Sequence, residues 1–159
     1  MNQYYIVNFI MNRNNHFCLW YTDELDGFEV EDNKLIWFKQ ENNMKLFCYD
    51  KNITFSDGVI SFDIDQLSDM IKFKPEEFDC NLILDMWNIF SDVSKSVNLP
   101  FKGDNDMVLD IYSKIFYGNN LPAINTSGKK YIPIWNEEEL EIIYEVLYQG
   151  ICILESALV

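Results

Sequence analysis

The sequence predicts an α+β protein, with an N-terminal antiparallel β-sheet of about five strands packed against about four C-terminal helices. Three observations carry this. Through residue 64, runs rich in Val, Ile, Phe, Tyr and Trp alternate with breaks rich in Asn, Asp and Gly. After residue 64 the apolar spacing changes to the helical period. The 159 residues are 48% hydrophobic and 16% aromatic, enough for one interior. A single α+β domain over 1–159 follows, mainly strands in 1–64 and mainly helices in 65–159.

The strands are expected at 4–11, 16–22, 34–40, 44–50 and 58–64, as a meander. Asn12-Arg13-Asn14-Asn15 and Glu41-Asn42-Asn43 are short polar connections that force hairpins. Asp65 is placed to cap a helix through about Lys72, with Leu67, Met70 and Ile71 on one side. Pro75-Glu76-Glu77 reads as a first helical turn, since proline and acids both favour that position. Phe78, Leu82, Met86, Ile89, Phe90, Val93 and Val97 then hold one face until Leu99-Pro100. A third helix is expected from Asp106 to Tyr117, with Val108, Ile111, Tyr112 and Ile115 inward and Gly118-Asn119-Asn120 at its end. Residues 119–130 read as a loop, and Pro133 keeps the short extended piece 131–135 out of a central strand. Asn136 and Glu139 form a capping-box pattern for a last helix, with Leu140, Ile143, Tyr144, Leu147, Ile151, Leu154 and Leu158 on one face. Gly150 is either a tolerated helix residue or a break.

Charge narrows the function. Twelve Lys and Arg against 26 Asp and Glu leave −14, with a sequence pI near 4.2. Such a chain is a poor ligand for nucleic acid or anionic lipid, which need cations to displace counterions. Arg13 is the only arginine, so bidentate phosphate recognition is nearly absent. No basic leader precedes the apolar start and no apolar run reaches the roughly 18 residues of a span, so neither a signal peptide nor a membrane segment is expected. Cys18, Cys48, Cys80 and Cys152 are widely spaced and are expected as buried, reduced thiols of a cytoplasmic protein.

Catalytic patterns are sparse. His16 is the only histidine and lies on an expected strand, where it reads as an ordinary sheet position. No glycines form a dinucleotide fingerprint or a P-loop, and Gly128-Lys129-Lys130 fails on spacing. Asp50-Lys51-Asn52-Ile53-Thr54 starts like a calcium loop, but Phe55 stands at the glycine position and Ser61 at that of the closing glutamate. Asp63/Asp65 and Asp104/Asp106 are pairs that suit Mg²⁺ beside a phosphate, although helix capping explains them equally. No catalytic residue, metal or cofactor is assigned.

The strongest local feature is the run from Asp23 to Asp32. Asp23, Glu24, Asp26, Glu29, Glu31 and Asp32 carry six negative charges, and Trp20, Tyr21 and Phe28 set large rings beside them. Rings with a charged rim have the composition of a protein-binding hot spot, and a fold-wide negative field speeds encounter with a basic partner. In size, acidity, strand-first layout and the segments DELDGFEVED and YIPIWNEEEL, the chain resembles bacterial immunity proteins of contact-dependent growth inhibition systems. The resemblance implies a heterodimer with a cognate toxin, a nuclease or tRNase C-terminal domain, with no catalysis by this chain and no direct contact to nucleic acid or membrane. Charge and ring placement then assign toxin binding to Trp20, Tyr21, Asp23, Glu24, Asp26, Phe28, Glu29, Glu31 and Asp32. Two alternatives stay open: a small Mg²⁺-dependent carboxylate enzyme built on the D-x-D pairs, and an acidic nucleic-acid-mimic regulator of a restriction or CRISPR system.

Overall fold

A computed structural model describes residues 1–75 and 78–159, and the α+β class holds, with a mixed sheet at the N-terminal end and helices mostly after it. Strand β1 (Gln3–Met11) turns through Asn12-Arg13 into β2 (Asn14–Thr22). Both turn residues are left-handed, at φ 53° and 62°, the sense that matches strand twist. Neither is glycine, and Asp65 offsets that cost by accepting the backbone N–H of Asn12 at 2.7 Å and of Arg13 at 2.9 Å.

Four two-residue strands follow: β3 (Gly27–Phe28), β4 (Val30–Glu31), β5 (Lys34–Leu35) and β6 (Trp37–Phe38). β3 and β6 pair in turn along the outer edge of β2, while β4 and β5 form a separate ladder. The strand expected over 34–40 is therefore two pieces, one in each sheet. The strand expected over 44–50 is a helix, α1 (Glu41–Asp50). Met44, Leu46 and Cys48 suit an alternating strand, but Met44, Phe47 and Cys48 equally mark one helical face, and tertiary packing selects the latter. Met44 and Cys48 are buried, Leu46 is exposed, and Lys45 bridges Glu41 at 2.7 Å one turn back.

The last strand, β7 (Phe55–Asp63), runs parallel to β1 rather than continuing an antiparallel meander. A parallel neighbour needs a crossover, and α1 supplies it. The order β3-β2-β1-β7 puts β1 inside and β7 at an edge. Ile6, Phe17, Leu19, Met44 and Cys48 form a small core under α1, whereas Val7, Phe9, Met11 and Cys18 face the larger core.

That larger core is closed by α2 (Ile64–Phe73), α3 (Cys80–Ser96) and α5 (Glu137–Ala157), with α4 (Leu109–Tyr117) packed on α3. Asp63, not Asp65, caps α2 by accepting the Gln66 N–H at 2.9 Å. The two-residue shift is what leaves Asp65 for the hairpin tip. Glu76 and Glu77 of the expected first turn lie outside the described residues, and α3 starts at Cys80, where Asp79 accepts the Leu82 N–H. Residues 106–108 form a 3-10 turn ahead of α4. The capping box at Asn136 and Glu139 is formed, and Lys114 joins α4 to it, 2.9 Å from Glu139 and 4.5 Å above the Trp135 ring. Cys18, Cys48 and Cys80 are buried free thiols, but Cys152 is exposed on α5.

Gly150 does not break α5. It lies where the helix crosses α3, and a β-carbon there would fall against the fully buried Phe90 ring. Gly→Ala in a helix ordinarily gains up to about 1 kcal/mol. Gly150→Ala is expected to reverse that sign and cost about 1–3 kcal/mol through overpacking, read from the denaturant midpoint; a gain in stability would contradict the packing described.

Candidate functional site

A groove of about 760 Å³ lies between the larger-core face of the sheet and α3, along which it runs from Leu82 to Lys95. Trp20 of β2, residues 60–63 of β7 and one side of α3 line it, with Asp26 at one end. Four carboxylates, Asp26, Asp63, Asp85 and Asp92, face it against the single cation Lys95. Apolar atoms of Ile60, Phe62, Met86 and Ile89 line it between the charges, so it combines an apolar floor with a negative rim.

One hydrogen-bonded tie holds the two walls. The Trp20 indole N–H donates to Asp92 Oδ2 at 3.0 Å. One turn further along α3, Ser96 accepts the backbone N–H of Phe28 at 2.9 Å and donates to the Asp92 carbonyl at 2.7 Å. Both ends of the 20–28 segment are thereby fixed to α3. Burial pushes the Asp92 carboxyl up to about 6, assisted by Asp26 and Asp104 and opposed by the Trp20 N–H and Lys95. Burial, with a smaller contribution from Asp79, also raises Asp85.

The nine residues assigned from the sequence do not form one patch. Trp20 and Asp26 reach the groove. Asp23 and Glu24 are exposed on the loop beside it. Successive strand residues point to opposite faces, so Tyr21 packs beside Tyr4, at 6.1 Å between ring centres, while Trp20 packs beside Tyr5 at 5.4 Å. Glu29 goes with Tyr21, accepting the Tyr4 hydroxyl at 3.4 Å. Phe28 is 2% exposed and packs on Phe9 in the core, so its ring is not presented at the surface. Glu31 and Asp32 are exposed on the β4–β5 turn, where the neighbouring Asn33 is bonded to Asn98 after α3. Leu25, at 81% exposure, is the apolar side chain that the loop does present.

The acids of α3 lie outside the 23–32 run, but the sequence carries a signal for them. Asp85, Asn88, Asp92 and Lys95 recur at intervals of three, four and three on a helix that is otherwise largely apolar, and all four line the groove. Three of the four D-x-D carboxylates hold a donor within the fold: Asp63, which also lines the groove, caps α2, Asp65 holds the hairpin tip, and Asp104 accepts the Ser91 hydroxyl at 2.6 Å. Among the described residues no group of three His, Cys, Asp or Glu is placed to hold a metal ion. His16 bonds the Phe9 carbonyl through Nδ1 at 3.0 Å and stacks near Trp37, an ordinary sheet environment. Among the described residues no helix is long and apolar enough to cross a membrane. No protein-family model matches this chain, and neither the curated proteins nor the solved structures searched contain a match to it.

A raised carboxyl weakens the fold once it ionises. The stability linked to Asp92 is greatest while it is protonated and falls as pH rises from about 4, its unfolded value, through about 6. Asp92→Asn keeps an oxygen for the Trp20 N–H and removes the charge. After allowance for solvent in the open groove, it is expected to add about 1 kcal/mol at pH 7 and nothing at pH 4. Denaturant titrations at the two pH values check this; an equal effect at both would contradict it.

Proposed function

We propose that this chain is a toxin-neutralising immunity protein of the contact-dependent growth inhibition type, which binds a cognate basic nuclease domain as a heterodimer in the cytoplasm and covers its catalytic or substrate-binding surface. The single observation that carries the reading is the groove, in which four carboxylates face one lysine around an apolar floor. A nuclease surface that receives phosphates is cationic, so an acidic concave surface competes for the same charges. Trp20, fixed by Asp92, offers a ring of set orientation, and preorganised aromatic groups add affinity at small entropic cost. The neighbouring exposed acids Asp23 and Glu24 extend the field and favour encounter. Tyr21, Glu29, Glu31 and Asp32 act at longer range in this reading, and Phe28 supports the loop from beneath.

The test starts from the neighbouring open reading frame, where the proposal requires a toxin gene: its C-terminal domain is co-expressed with this chain, followed by binding and growth measurements. Isolation of a one-to-one complex with restored growth supports the proposal, and a toxin that stays free and lethal rejects it. Asp26→Lys combined with Asp85→Lys, both at exposed positions, is expected to weaken binding about 10- to 100-fold at low salt, mainly through slower association, with the gap narrowing as salt rises. Unchanged affinity and salt dependence would remove the groove from the interface.

Protonation gives a second expectation. A bound Lys or Arg favours the ionised form of Asp92, so complex formation displaces its proton below about pH 6. Affinity is expected to rise between pH 5 and 7 and then level off, and Asp92→Asn is expected to flatten that rise. Calorimetry in two buffers of different ionisation enthalpy reads the released proton directly; no release at pH 5.5 would contradict the assignment of Asp92 to the contact.

A further inference from the structure

The two edges of the sheet are treated differently. On one side β3 and β6 cover the outer edge of β2 at Trp20, Tyr21, Phe17 and Cys18. On the other, β7 has β1 as its only strand partner, and among the described residues no backbone hydrogen bond joins 59–62 to any other segment. Exposed edges are usually blunted by proline, lysine or a bulge. Here the pairing with β1 is irregular ahead of Val59, beside Gly58 at φ 89°, but Val59-Ile60-Ser61-Phe62 contains neither proline nor lysine. Ile60 is 39% exposed on this strand.

The open edge and the acidic groove are the same place, because residues 60–63 line that groove. We propose that the partner docks by adding an extended, lysine- or arginine-bearing segment to the free edge of β7, with alternate side chains entering the groove toward Asp85 and Asp92. This rests on reading the groove as the surface for a basic protein. A strand added at about 4.8 Å from β7 points every second side chain to the face on which α3 lies, and a lysine there reaches past Ile60 and Phe62. Main-chain pairing supplies affinity and the alternate pockets supply selectivity. Charge separates this occupant from a second copy of the chain: two β7 edges brought together would oppose Asp57 to Asp63 in molecules of net charge −14, whereas a basic strand neutralises the rim.

Two peptides test the proposal on the intact chain: an acetylated, amidated octamer alternating Lys with Thr or Val, and its twin methylated at every backbone nitrogen. The twin keeps all charges and side chains but has no donors for a strand ladder. The unmethylated peptide is expected to bind at least 10-fold more tightly at low salt and to protect amides within 59–62 from hydrogen exchange. Asp85→Asn with Asp92→Asn is expected to weaken it further. Equal binding by the two peptides, or binding without protection in 59–62, overturns strand addition and leaves the groove as a surface for basic chains. If neither peptide binds, strand addition is also overturned, and the reading of the groove falls as well only if the Asp26→Lys, Asp85→Lys variant leaves toxin binding unchanged.

Discussion

The two-sided burial of β1 is the constraint from which the rest of the architecture follows. Ile6 faces one core while Val7, Phe9 and Met11 face the other. A strand that is apolar on both faces requires a layer on each side of the sheet. Residues 41–50 provide one layer as α1, and the C-terminal helices provide the other. Once α1 lies across the sheet, the chain returns beside β1 in the parallel sense, and β7 becomes an edge. The groove lies between that edge strand, Trp20 of β2 and α3. Fold and candidate site are in this sense one consequence of a few side chains in β1.

Electrostatics adds a second layer to that geometry. A net charge of −14 is self-repulsive, and the molecule partly relieves it by giving several acids local tasks. Asp63, Asp79 and Asp65 hold backbone N–H groups, and Glu139 is held by Lys114. Asp92 has a weaker arrangement, with one indole donor and the more distant Lys95 against burial and two neighbouring acids. Burial holds the Asp92 and Asp85 carboxyls above their ordinary range, which distinguishes them from the more numerous carboxylates of the outer surface.

Local signals were legible where local chemistry decides the outcome. The Asn136/Glu139 capping box, the Asn12-Arg13 turn and the apolar face of α3 all depend on neighbours within a few residues. Residues 44–50 read as a strand in the sequence because Met44-Lys45-Leu46-Phe47-Cys48 fits both periods, and α1 has no capping side chain at Gln40 to announce it. The direction of β7 was unreadable locally, since parallel and antiparallel partners of β1 demand the same residues. The candidate site was half legible. Trp20 and Asp26 were found by their charge and ring context, but contiguity in sequence suggested a single patch, and strand alternation scatters it. The acids of α3 belong to a segment that reads first as core, which hides a polar stripe at helical spacing.

The parallel pairing of β1 with β7 also orders events in time. β2 follows β1 after a two-residue turn, so that hairpin is available as soon as it leaves the ribosome. The other edge of β1 waits for a strand some fifty residues later, with Ile6 opposite Val59. During synthesis the most apolar strand therefore stands with one side unpaired, the state in which nascent chains associate wrongly. Asp65, the second residue of α2, closes onto the tip of that hairpin. Its two hydrogen bonds tie the tip of the hairpin to the segment that follows β7, so the turn is fully bonded only once β7 is in place.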